Sequence, residues 1–338
     1  ASALLFFIAE QYADAYEAGG LIDVGTGSME VRRLAAHVRD LVRGRVQAIA
    51  SRRSQSDANS SPELNFEQQA FHQFASTLAD GIEFLALDVL SEPPSGDVSH
   101  FRQAGIRFQQ VLELSGHSNE WEGLDGVLRT SYPGPAHLAS LLLAVTNGMD
   151  KVCLTKVPPP KGSDENLWKR WLRFRAQDNP YVWHNHREAI ARGFHQVGTN
   201  SVLVLPTGAG KTTVSTLKIA GTLASGKKVV FLVPTHALAE QVTGDLQGLF
   251  PSDRFGMKVS AEFDSLLVEG NSLQDIEVMT PEGCLAMLSY LPESFSDVGL
   301  LVFDECHLLS PENDRIGRAL DGMLCLLAFC DKVPDADL

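Results

Sequence analysis

The chain has 338 residues, 44% of them hydrophobic and 21% charged, which is material for about two domains of roughly 100–200 residues each. Its 28 Lys and Arg against 42 Asp and Glu give a net charge of −14, which excludes a protein that coats nucleic acid through a broadly basic surface. No apolar run nears the ~20 residues of a membrane-spanning helix, the opening ALLFFIA lacks the basic flank of a signal peptide, and five cysteines without a C-x-x-C pair fit a reducing, cytoplasmic setting rather than a disulfide framework or structural zinc site.

The first 155 residues read as an all-α domain. Apolar residues at 31, 34, 35, 38, 41, 42, 46 and 49 repeat with the period of one helix face. Phe71, Phe74, Leu78, Ile82, Leu85 and Val89 continue that spacing in a second long helix. Shorter helices are expected over 101–114 and 136–146, with polar loops at 51–63 and 91–97. TKVPPPKGSDEN (155–166) marks a boundary, because three consecutive prolines cannot continue a helix. A basic and aromatic helix follows in LWKRWLRFRAQ (167–177). Arg170 and Arg173 beside Trp171 either grip a nucleic-acid backbone and stack a base, or hold their charges in water while the aromatics pack inward. The expected segments are a helical domain over 1–155, a linker over 156–180 and a third segment over 181–338.

From about residue 180 the pattern becomes an α/β alternation. Strands are expected at SVLVL (201–205), KVVFLVP (228–234), IEVMT (276–280) and VGLLVFDE (298–305). Helices are expected between them, at 211–224, 236–249 and 282–290. Such alternation predicts a parallel sheet with helices on both faces.

Two motifs carry chemistry. PTGAGKTT runs from Pro206 through Thr207, Gly208, Ala209, Gly210, Lys211 and Thr212 to Thr213, after an apolar run and opening a helix. Its glycines let backbone N–H groups curl around phosphates, and the helix N-terminus adds partial positive charge. Lys211 is placed to reach the β- and γ-phosphates of ATP, and Thr212 to offer a hydroxyl ligand to Mg²⁺. Leu205 stands where the general pattern has a glycine six residues before the lysine. The second motif is LLVFDECH, Leu300 to His307, an apolar strand ending in Asp304 and Glu305. That end of a parallel sheet is where ligand sites lie. Asp304 is the candidate Mg²⁺ ligand and Glu305 the group that polarises the attacking water.

PTGAGKT and DECH resemble motifs I and II of superfamily 2 DEAD/DEAH-type helicases and translocases, over roughly residues 180–330. VPTHALAEQ (233–241) resembles motif Ia and MTPEGCL (279–285) motif Ib, in the family's order. The resemblance implies one RecA-like lobe that uses ATP and Mg²⁺ and tracks nucleic acid, with DNA favoured over RNA. It implies strand-backbone contacts by Thr235 and Thr280, although Glu282, Gly283 and Cys284 stand where motif Ib commonly carries an arginine. It places His307 at the link between the ATP site and a second lobe. His186 falls at the glutamine that reads adenine, and histidine cannot reproduce an amide's paired donor and acceptor. Stacking of adenine on Tyr181 or Trp183 remains open at that point.

The family's later motifs, including the arginine finger, sit on a second RecA-like lobe. That lobe is expected in the full-length protein, together with other subunits if the protein works in a multi-protein system. A helical extension on such a lobe suits a prokaryotic genome-defence or repair factor. A P-loop kinase would not carry motifs Ia, Ib and DECH in this order. The remaining alternative is a nucleotide-binding switch or interaction protein without motor activity.

Overall fold

Helix formation in the N-terminal region follows its apolar period. The computed structural model describes residues 1–53, 66–94, 96–116, 119–123, 126–130, 132–206, 210–261, 272–304 and 316–338. They fall into two compact units, Ala1–Val157 with Leu172–His184, and Pro158–Trp171 with Asn185–Leu338.

In the first unit, α1 (Ser2–Ile8), α2 (Tyr12–Gly20), α3 (Met29–Val42) and α4 (Val46–Arg53) precede α5 (Phe66–Val89), α6 (His100–Gly116) and α7 (Pro133–Val152). The Ser28 hydroxyl caps α3 by accepting from the Val31 N–H at 3.4 Å. Leu34, Val38, Leu41 and Val42 of α3 then turn inward with Leu78, Ile82 and Leu85 of α5. Each such side chain contributes about 1.5–3 kcal/mol on full burial. Gly81 lets α6 approach α5, since a Cβ there would lie 2.9 Å from Phe108 Cδ1. A short antiparallel hairpin, β1 (Asn119–Gly123) with β2 (Gly126–Thr130), adds an element that the helical reading of this region did not contain.

Inside this unit lies an ionic cluster. His37, Asp40 and Glu83 are all buried. Arg33 donates to Glu83 Oε1 at 2.6 Å and Asp80 Oδ1 at 2.7 Å, while His37 Nε2 meets Glu83 Oε1 at 2.8 Å. Arg52 pairs with Asp40 and reaches His37 Nδ1 at 3.1 Å. Burial pushes the Glu83 carboxyl up, but its bonds to His37 and Arg33 outweigh that and hold it below the ordinary carboxylate range.

The proline-rich stretch leads into α8 (Glu165–Ala176), whose residues from Leu172 on are counted with the first unit, and then α9 (His184–Ala191). The rest of the second unit is α10 (Lys211–Ala224), β3 (Lys228–Leu232), α11 (His236–Leu249), α12 (Ser252–Phe255), β4 (Val259–Ala261), β5 (Ile276–Met279), α13 (Pro281–Tyr290), β6 (Val298–Phe303) and α14 (Ile316–Lys332). The strands order as β4-β5-β3-β6, every pairing parallel, with Leu232 opposite both Met279 and Phe303. β3 and β5 are apolar almost throughout because both faces of a parallel sheet are covered.

The strand expected at 201–205 is a correction: residues 201–206 form none. The edge of β6 is taken instead by residue 337, whose N–H donates to Gly299 O at 2.9 Å and whose carbonyl accepts from Leu301 N–H at 2.8 Å. Residue 201 meets that tail rather than a strand, through its N–H to Leu338 O at 2.8 Å. Val202 and Val204 consequently stay 82% and 86% exposed.

Candidate nucleotide site

The site is built where α10 begins. Gly210 is its N-cap in a left-handed conformation, φ 86°, which only glycine adopts without strain. No side chain caps this helix, and its first turn carries no carboxylate. A helix end so left bare favours an anion. Lys211 and Thr212 at its first two positions are exposed, and Thr213 is half-buried. The Thr216 hydroxyl bonds the Thr212 carbonyl, tying down the first turn from inside.

β6 delivers the acid. Asp304 follows its last residue, is exposed, and is held by its own N–H donating to Leu232 O of β3 at 3.2 Å. Lys211, Thr212 and Asp304 line one cavity of about 640 Å³. The same cavity is walled by apolar residues such as Leu203, Phe231, Leu246 and Val302, with further polar groups from Ser215, Gln241 and Asp245. A hydroxyl and one carboxylate fit Mg²⁺, which takes one or two protein oxygens and completes its shell with phosphate and water. Among the described residues no group of three or more His, Cys, Asp or Glu could hold a metal by itself.

Behind α10 lies a buried pair that no motif marks. Lys218 donates to Asp337 Oδ2 at 2.9 Å and to the carbonyls of Gln196 and Thr199 at 2.7 Å each. Asp337 Oδ2 also accepts the Gly198 N–H at 2.8 Å. Beside it, burial holds the His195 imidazole below its usual range, against a hydrogen bond to Pro158 that raises it. A lysine on a helix reads in sequence as a solvent-facing charge, so nothing there announced Lys218.

The remaining candidates are placed as follows. Pro206 is exposed, and His186 is buried on α9. Thr207, Gly208, Ala209, Glu305 and His307 lie outside the described residues. Thr235 caps α11, accepting from Leu238 N–H at 3.3 Å, and Thr280 caps α13, accepting from Gly283 N–H at 3.2 Å. Thr280 is buried, 4% exposed. Arg170 and Arg173 are exposed, with the Arg170 guanidinium 5.4 Å from the Phe255 ring centroid. Of the two readings of this helix, Trp171 takes the inward one: its ring is buried, stacks on Phe250 at 5.5 Å and 9°, and donates from Nε1 to Leu249 O. Tyr181 and Trp183 belong to the first unit, where Tyr181 donates to Leu41 O and Trp183 stacks on Tyr12.

Residues 184–328 match the family model described as DEAD/DEAH box helicase. That stretch is a DEAD/DEAH box helicase domain. The chain is 36% identical over 150 residues to "ATP-dependent DNA helicase Hel308" of Thermococcus kodakarensis, which covers 43% of this chain and 13% of that protein. It is 33% identical over 145 residues to the Hel308 of Pyrococcus abyssi, covering 42% and 19%. It is 29% identical over 215 residues to "Probable ATP-dependent helicase MJ1401" of Methanocaldococcus jannaschii, covering 56% and 25%. The chain thus spans a quarter or less of the length of these relatives. A solved structure titled "DUF1998 helicase MrfA bound to DNA and AMPPNP" aligns over 51% of this chain at 20% identity and a TM-score of 0.37, too low to add to the domain match. The helicase domain begins at α9 and takes in β3–β6, with both motifs inside it.

Proposed function

We propose that the chain supplies the nucleotide-binding lobe of an ATP-dependent helicase or translocase that acts on DNA. The observation that carries this reading is the convergence of Lys211, Thr212 and Asp304 on one cavity, inside the stretch that matches the helicase family. In this reading the backbone from Pro206 to Gly210 and the amides at the start of α10 bind the phosphates, with Lys211 neutralising their charge. Thr212 and Asp304 hold Mg²⁺, which when bound withdraws charge from the transferred phosphoryl group. Glu305 orients and polarises the attacking water. His307, close behind, relays the state of the nucleotide to the rest of the motor.

DNA is favoured because the Hel308 relatives are named as DNA helicases. Thr235, Thr280, Arg170 and Arg173 are the proposed strand contacts, a narrow track consistent with a chain of net charge −14. In the full-length protein, Glu305→Gln keeps nucleotide binding and slows DNA-stimulated hydrolysis by about 10²-fold or more. Steady-state ATPase assays with and without DNA check this, and unchanged turnover would remove Glu305 from the mechanism.

A further inference from the structure

His186 sits on α9 with only 3% of its surface exposed. Its imidazole edge fills the space directly over Gly210. A Cβ built on Gly210 would lie 2.7 Å from His186 Cε1 and 3.0 Å from Cδ2, and nearer still to Nε2. Two constraints therefore meet at one residue. The left-handed backbone and the buried ring both demand glycine there, and the ring abuts the backbone from which α10 and Lys211 start.

That placement does not suit a reader of adenine. His186 is absent from the described residues that line the cavity with Lys211, Thr212 and Asp304. A base reader must present polar atoms to the ligand, whereas this ring presents its edge to main chain.

We infer that His186 is a positioning residue, which braces Gly210 and so sets the turn that aims the α10 amides and Lys211 at the phosphates. The base is not discriminated at this position, and the contribution of His186 is felt equally by every ligand with a diphosphate. The inference rests on residues 206–213 being a phosphate loop. The ring's rigidity is what qualifies it: a planar, buried wedge holds backbone without the rotamer freedom of a longer amide side chain. Misplacement of a binding group by about 1 Å is enough to cost up to ~10²-fold.

The test uses the whole 338-residue chain and titrates Mg²⁺ pyrophosphate, ADP and GDP by calorimetry. The variants are His186→Ala, His186→Asn, Gly210→Ala and His186→Ala with Gly210→Ala, with thermal melts as the control for folding. The expected result is that His186→Ala weakens all three ligands alike, by ~10-fold or more, with the ADP to GDP ratio unchanged. His186→Asn, which keeps a planar polar group in part of that space, recovers some of the loss. Gly210→Ala costs less in the His186→Ala background than alone, because the ring it collides with is gone. A loss confined to ADP would make His186 a base reader and overturn the inference. Equal Gly210→Ala penalties in both backgrounds, or unchanged affinity for all ligands, would also overturn it. Failure of the unaltered chain to bind any of the three would instead strike the phosphate-loop reading itself, and this inference with it.

Discussion

At the scale of single residues, the two threonines that the motifs assign to nucleic acid, Thr235 and Thr280, also cap helices. The Thr280 hydroxyl accepts the Gly283 N–H and is buried, so removing it loses a helix cap. Thr280→Ala is expected to lower stability by about 1 kcal/mol and Thr280→Ser to restore it, measured by denaturant unfolding. Arg170 and Arg173 are different, being exposed on α8. If they follow a strand, replacing each by Ala leaves stability within about 0.5 kcal/mol and flattens the dependence of log affinity on log salt by roughly one. Anisotropy titrations with single- and double-stranded DNA at several salt concentrations read that slope. An unchanged slope in both variants would take α8 out of the track. Trp171 illustrates why residue type alone misleads: its indole is compatible with base stacking or with a core, and only its contact with Phe250 decides.

At the scale of elements, the helices and strands of the helicase domain were nearly all legible. The expected helices at 211–224 and 236–249 coincide with α10 and α11, and three of the four expected strands became β3, β5 and β6. Their signals were strong because a buried parallel strand is a continuous apolar run, and the helices after β3 and β5 each begin at a threonine cap. The run at 201–205 carries the same signal, but pairing is a property of the neighbour: the β6 edge bonds residue 337 instead. β4 is only three residues long, and the hairpin strands NEWEG and GVLRT lack the continuous apolar run that marked β3 and β5. The Lys218–Asp337 pair was hidden for a further reason, since 119 positions separate its members and neither lies in a motif. Its energetics are testable. Asp337→Asn strands a buried ammonium and is expected to cost about 3 kcal/mol or more, while Lys218→Met with Asp337→Leu costs less than that single change, as denaturant midpoints would show. In the first unit the depressed Glu83 carboxyl makes stability depend on pH. Its folded value lies below the ordinary 4.5, so its contribution is fully present above that pH and is lost as pH falls through the lower, folded value. Glu83→Gln is therefore less stable near neutrality but loses less on acidification below about pH 4.5, read as melting temperature against pH. Parallel pH profiles for the two proteins would contradict this.

At the scale of the whole molecule, one chain carries a helical unit and a second unit that holds a helicase domain over residues 184–328. The candidate site was legible in part because its chemistry is local: a glycine turn, a lysine and a hydroxyl in succession, and a carboxylate at a strand end. Their convergence on one cavity needs the parallel order β3-β6, which places Asp304 at the same sheet edge as the start of α10. The central claim is that this convergence binds the phosphates of a nucleotide. Calorimetric titration of the 338-residue chain with Mg²⁺ and ADP, beside Lys211→Ala, tests it most directly. The account predicts saturable binding by the unaltered chain and loss of at least about tenfold in affinity for the variant, the scale of one charge-assisted contact to phosphate. Equal binding by the two proteins, with both folded, would contradict it.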